Sequence, residues 1–267
     1  MKKIFFAPLA ALLALVSCST DHPVGIVAHR GYWNCEEGGM SHNSIASLKA
    51  ACEHGFWGTE FDVNMTADGE LLVYHDSEIG GKTINFSQKS DFDGFRLPNG
   101  EHIPLLWEYL AVAREYPETK LVLELKCHAT PELERRAVDA VVALLKEYGL
   151  FTPERVMFIS FSLEECALFA QAAPGFTVQY LNSDKTFDDL DAAGVNGIDM
   201  FFGTYLGDPA WKEGAAAKGY SVNVWTVDGE EDMRRCIGNG IDQLTTDNPE
   251  LARSILAGME GYREAKN

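Results

Sequence analysis

The chain has 267 residues, of which 46% are hydrophobic and 23% charged, and its formal net charge is -18. These values fit one large globular domain or two small ones, and they exclude a disordered or fibrous chain. An acidic chain lacks the positive surface that nucleic acid requires, and anionic membranes repel it. We therefore expect no nucleic-acid partner, and any phosphate group must be held by a metal ion or by local Lys and Arg side chains.

The first seventeen residues are typical of a secretory segment. Lys2 and Lys3 precede an apolar run over 4–16 that is too short to span a bilayer as a mature helix. The run leads to L-V-S-C at 15–18, which resembles the lipobox of bacterial lipoproteins, although an ordinary signal peptide that happens to contain a cysteine is the alternative. Loss of the two lysines would change the net charge from -18 to -20.

We accordingly predict a lipoprotein signal peptide over 1–17, a lipidated Cys18 with a tether to residue 23, and one catalytic domain over 24–267. The expected location is the cell envelope, with the lipid as the only membrane contact. Ser19 after the cysteine resembles the sorting pattern of outer-membrane lipoproteins, which face the periplasm or the cell surface. The oligomeric state stays open.

The first part of the mature chain predicts two strands, a returning strand and a helix. The strands cover 24–28 and 56–63, and the returning strand covers 70–74 after a turn at 66–69. A helix over 44–54 lies between the first two strands, with Asn43 as its N-cap. Residues 77–103 show no periodicity, which predicts a short insertion.

Beyond this insertion, strands and helices alternate regularly. Strands are predicted over 120–125, 155–160, 176–180, 197–200, 221–227 and 241–245. Helices are predicted over 104–115, 131–148, 163–172, 188–193, 209–218, 230–238 and 249–256. Together with the two strands and the helix before the insertion, they make eight strand–helix units. Eight units without a Pro/Gly linker favour one α/β domain, a (β/α)8 TIM barrel with a short insertion after the second strand.

Residues capable of chemistry collect at the carboxyl ends of the early strands, which meet at one rim of such a barrel. They are His29, Arg30, Glu60, Asp62, His75, Asp76, Glu124 and Lys126. Residues two apart on a strand share a face, so Glu60 and Asp62 project together. Two neighbouring carboxylates repel each other unless a positive group lies between them, and a hard divalent cation prefers oxygen ligands.

Structural interpretations of these residues are also open. Glu60 and Asp62 could form a solvated face of an edge strand, and Glu124 could form a buried salt bridge with Lys126. Because Phe61 and Val63 flank the acids, their charges would be buried at high cost without a metal, and we favour the metal site. A cation, two basic side chains and two histidines are the groups that phosphoryl chemistry needs.

Several motifs, in this order, resemble the glycerophosphodiester phosphodiesterase family. They are H-R-G at 29–31, E-x-D at 60–62, H-D at 75–76, E-x-K at 124–126, V-N-V-W-T-V-D at 222–228 and I-D-Q-L-T-T-D-N-P at 241–249. The resemblance extends from 24 to about 256. It implies a TIM barrel that hydrolyses glycerophosphodiesters to glycerol 3-phosphate and an alcohol with a divalent cation, Ca2+ or Mg2+.

The resemblance also implies a role for individual residues. The metal ligands of the family correspond to Glu60, Asp62 and Glu124, and its acid/base pair corresponds to His29 and His75. Its phosphate contacts correspond to Arg30 and Lys126, and an aromatic residue on its glycerol side corresponds to Trp225. Trp225 could instead be a core residue. Asp76 is expected to orient His75.

The chain departs from the family pattern near the substrate entrance. S-H-N-S at 41–44 stands where the family usually has P-E-N-T, so that His42 replaces an acid and becomes a further candidate site residue. The insertion is short and lacks the usual R-T-T. These departures leave the headgroup preference open.

Two other functions stay open. One is a related barrel phosphodiesterase that acts on lysophospholipid or sphingolipid headgroups. The other is a non-catalytic, lipid-anchored protein that binds phosphodiesters. The complete set of acids and both histidines argue against the second, so we expect a small-molecule glycerophosphodiester as the partner.

Overall fold

A computed structural model describes residues 21–267. The predicted signal peptide over 1–17 and the predicted lipidation site Cys18 lie outside the described residues. Among the helices that are described, none is both long and apolar enough to cross a membrane.

Eight parallel strands close into a barrel. In chain order the strands of the structure are β1 His22–Ala28, β2 Gly58–Met65, β3 Leu71–Val73, β4 Glu78–Ile79, β5 Lys82–Thr83, β6 Lys120–Leu125, β7 Val156–Ser160, β8 Val178–Tyr180, β9 Gly197–Phe201, β10 Ser221–Trp225, β11 Gln243–Thr246 and β12 Tyr262–Glu264. The barrel order is β1-β2-β6-β7-β8-β9-β10-β11, and β1 pairs with both β2 and β11 to close it. The predicted (β/α)8 barrel is therefore confirmed.

Helices connect the strands and cover the outside of the barrel. They are α1 Ile45–Glu53, α2 Leu106–Ala113, α3 Pro131–Glu147, α4 Leu163–Ala172, α5 Phe187–Ala192, α6 Phe202–Gly207, α7 Pro209–Lys218, α8 Glu230–Gly238 and α9 Pro249–Ala257. The longest, α3, begins with Pro131 after the cap Thr130, whose side chain accepts a hydrogen bond from the N–H of Leu133. Its buried face follows the helical period, with Val138, Val141 and Leu145 packed on the barrel.

Alternation along each strand decides which side chains enter the barrel. Every residue of β2 is buried, because one face packs on the helices and the other fills the interior. Phe61 and Val63 belong to the core between barrel and helices. Glu60 and Asp62 therefore point inward, towards the interior at the carboxyl end of the strands.

The insertion is an ordered unit with a small core of its own. After β3, which runs antiparallel to β2, the chain forms the β4–β5 hairpin and two 3-10 helices, Ile84–Phe86 and Lys89–Phe92. Six apolar side chains pack together there: Leu72, Ile79, Ile84, Phe92, Leu97 and Ile103. The sequence showed no periodicity because each of these elements is only two to four residues long.

One local prediction was wrong. The N-cap of α1 is Ser44, whose side chain accepts a hydrogen bond of 2.9 Å from the N–H of Ser47. Asn43 cannot fill this position, because its backbone has a φ of 53°, in the left-handed region, whereas a cap residue is extended. Its side chain is directed to Asp62 instead.

Candidate active site

The H-R-G motif forms a sharp turn directly after β1. Arg30 and Gly31 both have positive φ, 55° and 80°. A Cβ on Gly31 would lie 2.4 Å from the hydroxyl oxygen of Ser47, so only glycine fits against α1. The turn directs the N–H of Arg30 to Glu60 Oε2 (2.8 Å) and the N–H of Gly31 to the Glu60 carbonyl (3.0 Å). These two hydrogen bonds hold the left-handed turn, and with it His29 and Arg30, beside the first acid.

Three acids converge at the carboxyl ends of β2 and β6. Glu60, Asp62 and Glu124 are 3%, 1% and 7% exposed, and one oxygen of each lies within 4.8 Å of the others. Oε1 of Glu60 has no hydrogen-bond partner among the described residues. A buried, unpartnered carboxylate oxygen is costly, and three converging carboxylates form the ligand set of a hard cation. The predicted metal ligands therefore lie together.

The negative charges of the three neighbouring carboxylates repel one another, which changes the pKa of each. Burial, and next the charge of Asp62, raise the pKa of Glu60 well above its usual range. The same two causes raise the pKa of Glu124 to about 7, against the opposing charge of Lys126. For Asp62, burial also favours the neutral form, but the positive charges around it, that of Lys126 foremost, prevail and lower the pKa. A bound cation would favour the ionised form of all three.

The two basic residues contact the acids. Nζ of Lys126 lies 2.5 Å from Glu124 Oε1 and 3.2 Å from Asp62 Oδ1. Nε of Arg30 lies 3.5 Å from Asp62 Oδ2, which also accepts a hydrogen bond of 2.8 Å from the amide of Asn43. Burial disfavours the charge of Lys126, but the neighbouring carboxylates outweigh it and raise its pKa. Lys126 stays charged at the cavity wall.

Each predicted catalytic histidine is held by a carboxylate. His29 Nδ1 lies 2.9 Å from Asp247 Oδ1, an oxygen that also accepts a hydrogen bond of 2.9 Å from the indole of Trp33. His75 Nδ1 lies 2.7 Å from Asp76 Oδ1, as expected of an orienting partner. Burial lowers the pKa of His75, although Asp62 opposes the shift. With Nδ1 engaged, each ring has its other nitrogen available for proton transfer.

These residues border one cavity of about 200 Å³ in the mouth of the barrel. Its lining combines the histidines, acids and bases with aromatic and aliphatic side chains: His29, Arg30, Glu60, His75, Glu124, Lys126, Ile159, Phe161, Leu181, Asp199, Trp225, Thr226 and Thr245. The predicted substrate residue Trp225 forms part of this wall, and its indole N–H donates to the carbonyl of Asp199 (3.3 Å). Predicted site residues from five distant segments thus border the same cavity.

A second cavity of about 360 Å³ adjoins the first through Arg30 and His75. His42 lines it, together with Tyr74 and residues of the insertion that include Phe95 and Arg96. The His42 ring packs 4.0 Å from that of Trp33, and burial, then Arg30, lower the pKa of the imidazole. The structure thus places His42 beside the candidate site.

Among the residues in contact with the site that had no predicted role in it are Asn43, Asp199 and Asp247. Asn43 was interpreted as a helix cap. Asp199 lies within β9 and Asp247 directly follows β11, whereas the predicted catalytic and metal-binding residues come only from the earlier strands. Asp247 belongs to the T-T-D-N-P signature, so taking strand ends from the whole barrel would have found both.

Comparison with known proteins confirms the resemblance. The family model described as "Glycerophosphoryl diester phosphodiesterase family" matches residues 29–251. A glycerophosphodiester phosphodiesterase of Caldanaerobacter subterraneus subsp. tengcongensis is 28% identical over 248 residues, which cover 86% of this chain and 97% of the relative.

Solved structures agree in fold. A glycerophosphodiester phosphodiesterase from Parabacteroides distasonis is 38% identical with a TM-score of 0.84, over 89% of this chain and 98% of the other. A phosphodiesterase of Oleispira antarctica, solved with the product sn-glycerol-3-phosphate, shares the fold with a TM-score of 0.75 at 23% identity, over 89% and 98% of the two chains. Because the family model covers most of the chain, the chain belongs to the glycerophosphoryl diester phosphodiesterase family of hydrolases.

Proposed function

We propose that the protein hydrolyses glycerophosphodiesters to sn-glycerol 3-phosphate and an alcohol, with a divalent cation and with His29 and His75 as acid and base. One observation carries the proposal: two basic side chains, two carboxylate-bound histidines, Glu60 and Glu124 border a single cavity, and Asp62 lies within 4.8 Å of both glutamates. Family membership and the product complex of the Oleispira antarctica protein support the reaction type.

The donor set fits a hard cation. All three candidate ligands offer oxygen only, and Glu60 Oε1 is buried without a partner. Glu60, Asp62 and Glu124 would hold Ca2+ or Mg2+, the ions for which carboxylate oxygen is the preferred ligand. When bound, such a cation polarises a phosphoryl oxygen and stabilises the charge that develops on it.

Arg30 and Lys126 place two positive charges on the wall of the same cavity. A phosphodiester carries one negative charge, which becomes more concentrated on its oxygens as the bond to the alcohol breaks. Arginine and lysine are the side chains that bind such oxygens through charge-assisted hydrogen bonds. We assign to Arg30 and Lys126 the orientation and neutralisation of the phosphate group.

The two histidines move the protons. One takes the proton from the attacking oxygen, which belongs to water or to the neighbouring hydroxyl of the substrate, and the other protonates the leaving alkoxide. Attack by water gives glycerol 3-phosphate directly, whereas attack by the hydroxyl gives a cyclic phosphate that a water molecule then opens to glycerol 3-phosphate. Asp247 and Asp76 hold the Nδ1 atoms and stabilise each imidazolium as it forms. Both oxygen sources require the same pair of histidines.

The test is the release of glycerol 3-phosphate from a panel of glycerophosphodiesters by the soluble 19–267 form. The protein is treated with EDTA and assayed again after Ca2+ or Mg2+ is restored. We expect release only with a cation, and the order of rates identifies the headgroup. A folded, cation-loaded protein that binds the diesters without releasing product would instead be a non-catalytic binder.

A specific observation favours a second substrate class, lysophospholipids. A neighbouring cavity of about 160 Å³ shares Phe161, Leu181 and Trp225 with the main cavity. Its lining is mixed: Asn182, Ser183 and Thr204 are polar, and Met200 and Phe201 add apolar surface. Phe201 is 47% exposed at the barrel rim. An acyl chain on the glycerol would find apolar surface there. Lysophosphatidylcholine cleaved faster than glycerophosphocholine would support this class, and cleavage of the water-soluble diester alone would reject it.

We also propose that the protein is anchored in the cell envelope through lipid on Cys18, with no other membrane contact. The basic residues, apolar run and L-V-S-C of the first eighteen residues support this location. β1 begins at His22 on the barrel end opposite the cavity, so an anchor before it would leave the mouth facing away from the bilayer. Labelled palmitate should enter the wild type but not Cys18→Ala; equal labelling would contradict the site.

A further inference from the structure

Asp199 is a buried acid of the cavity wall that belongs neither to the acid triad nor to the histidine pairs. It lies on β9 and is 1% exposed. Its Oδ2 accepts a hydrogen bond of 3.1 Å from the amide nitrogen of Asn223. Its Oδ1 has no hydrogen-bond partner among the described residues, which is also true of Oε1 of the metal-ligand candidate Glu60. Two unpartnered carboxylate oxygens therefore border one cavity.

The neighbouring strands fix the orientation of this carboxyl group. Asn223 on β10 stands opposite Asp199 in the sheet register. The hydroxyl of Thr245 on β11 donates to the amide oxygen of Asn223 (3.1 Å), so the amide nitrogen is directed to Asp199. Oδ2 is thereby hydrogen-bonded within the protein, whereas Oδ1 can form a hydrogen bond with a group inside the cavity.

The surroundings of Asp199 suit a neutral partner. Within the described part of the chain no lysine, arginine or histidine forms an ion pair with it, and the cavity wall near the barrel centre is apolar, with Ile159 and Leu181. Burial, and next the charge of Glu124, raise the pKa of the Asp199 carboxyl well above its usual range. A second anionic group would be repelled there, but a hydroxyl can donate to or accept from a carboxyl group.

We propose that Asp199 determines the specificity for the glycerol part of the substrate, through a hydrogen bond between its free Oδ1 and a glycerol hydroxyl. The inference rests on the proposed function, in which Arg30 and Lys126 hold the phosphate group. Trp225, whose indole donates to the Asp199 carbonyl, forms the adjoining wall. The phosphate and the hydroxyl are thus recognised by different parts of one cavity.

The consequence is discrimination against ligands without hydroxyl groups. A site built to pair a buried polar atom with a hydroxyl rejects an analogue that leaves this atom unpaired. We expect the cation-loaded protein to bind sn-glycerol 3-phosphate about 10- to 100-fold more tightly than n-propyl phosphate, which has the same phosphate and carbon chain.

Calorimetric titration of both ligands into the Ca2+- or Mg2+-loaded protein tests this inference. Asp199→Ala should bind the two ligands with nearly equal affinity, mainly because it loses affinity for glycerol 3-phosphate. Gln179→Ala is the matched control, since Gln179 on β8 is also buried with an unpartnered oxygen but does not line the described cavities. This control should keep the wild-type discrimination. Should Asp199→Ala not fold, Asp199→Leu, of similar size, replaces it.

Equal affinities in the wild type, or no binding of either ligand, would overturn the inference. Discrimination that survives in a folded Asp199 variant would overturn it as well. The binding assay is separate from turnover. The two proposals can therefore fail separately. If the wild type discriminates between the ligands and the Asp199 variant does not, the role of Asp199 is supported. If the same wild type releases no product from any diester, the proposed catalysis is rejected.

Discussion

Two buried clusters of ionisable residues lie on either side of the end of β6, and they differ in how their polar atoms are satisfied. In the first, the acid triad of Glu60, Asp62 and Glu124, like charges converge and Glu60 Oε1 lacks a partner among the described residues. The second contains His128 and Glu165, whose side chains are fully buried 2.8 Å apart.

In this second cluster the ionisable atoms are paired within the protein. The N–H of Met65 donates to His128 Nε2 (3.2 Å), so the proton is on Nδ1, which donates to Glu165 Oε1. Glu165 Oε2 lies 2.6 Å from the hydroxyl of Ser160, which in turn reaches the carbonyl of Leu125 (2.9 Å). These bonds join the ends of β2, β6 and β7.

The difference shows what separates a ligand site from a structural network. Both clusters are buried and both contain acids, so burial and residue type do not distinguish them. The triad leaves polar atoms for something outside the protein, whereas the His128–Glu165 pair leaves none. Substitutions should therefore affect function at the first cluster and stability at the second.

The largest expected effect is on turnover by the histidines of the cavity. His29→Ala and His75→Ala should each reduce kcat by about 10²- to 10⁴-fold, because general acid–base catalysis contributes on this scale. Thermal unfolding should stay close to that of the wild type. His102→Ala is the control, since this exposed histidine is paired with Glu108 and does not line the main cavity. A rate near the wild-type rate in either variant would remove that histidine from the mechanism.

At the second cluster the expected effect is a loss of stability. His128→Ala and Glu165→Ala should each lower the free energy of unfolding by about 3–5 kcal/mol, because either change leaves a buried group without its partner. Urea denaturation measures the loss. Turnover per folded molecule should remain within a few-fold of wild type, and a large fall in kcat at full folding would place this pair in the active site.

In the absence of metal, Glu60→Gln should raise the free energy of unfolding, whereas the substitutions at His128 and Glu165 lower it. The amide can keep the hydrogen bond from Arg30 N–H and removes one of three converging carboxyl groups, so the EDTA-treated variant should be more stable than wild type. It should also lose the rise in Tm that Ca2+ or Mg2+ gives the wild type. A less stable metal-free variant would show that the triad is satisfied as it stands.

The smallest effect is a pH dependence of the metal-free protein. Burial and Asp62 raise the pKa of Glu124 from 4.5 to about 7 in the folded state. Its contribution to stability is thus fully present below pH 4.5 and is lost as the pH rises through about 7. The free energy of unfolding should fall by about 2–3 kcal/mol between pH 5 and 8 in EDTA, and less in Glu124→Gln. Identical slopes would contradict this assignment.

The sequence was sufficient for the barrel because its elements are regular and long enough to show their period. Strands such as Lys120–Leu125 and helices such as Leu163–Ala172 have the predicted bounds. The short helix Phe202–Gly207 and the strand Tyr262–Glu264 were missed. The latter exists through its pairing with the start of β1, and no local pattern reports such a distant partner.

The site could be predicted as far as it depends on position at strand ends. The acids, bases and histidines of the early strands lie together at one rim of the barrel, as expected. The roles of Asn43 and Asp247 could not be predicted, because they depend on the left-handed backbone of Asn43 and on which strands become neighbours. The pairing inside the His128–Glu165 cluster has the same origin, since its members are 37 residues apart.

The contact between His29 and Asp247 joins residues 218 positions apart, on the first and last strands of the barrel. A chain that ended before β11 would contain every metal-ligand candidate and both histidines, yet His29 would lack its carboxylate. Such long-range closure forms late in folding. During synthesis on the ribosome, therefore, the active centre can be completed only when almost the entire polypeptide has emerged. Truncated translation products would contain the metal-ligand candidates and both histidines but would lack the carboxylate that orients His29.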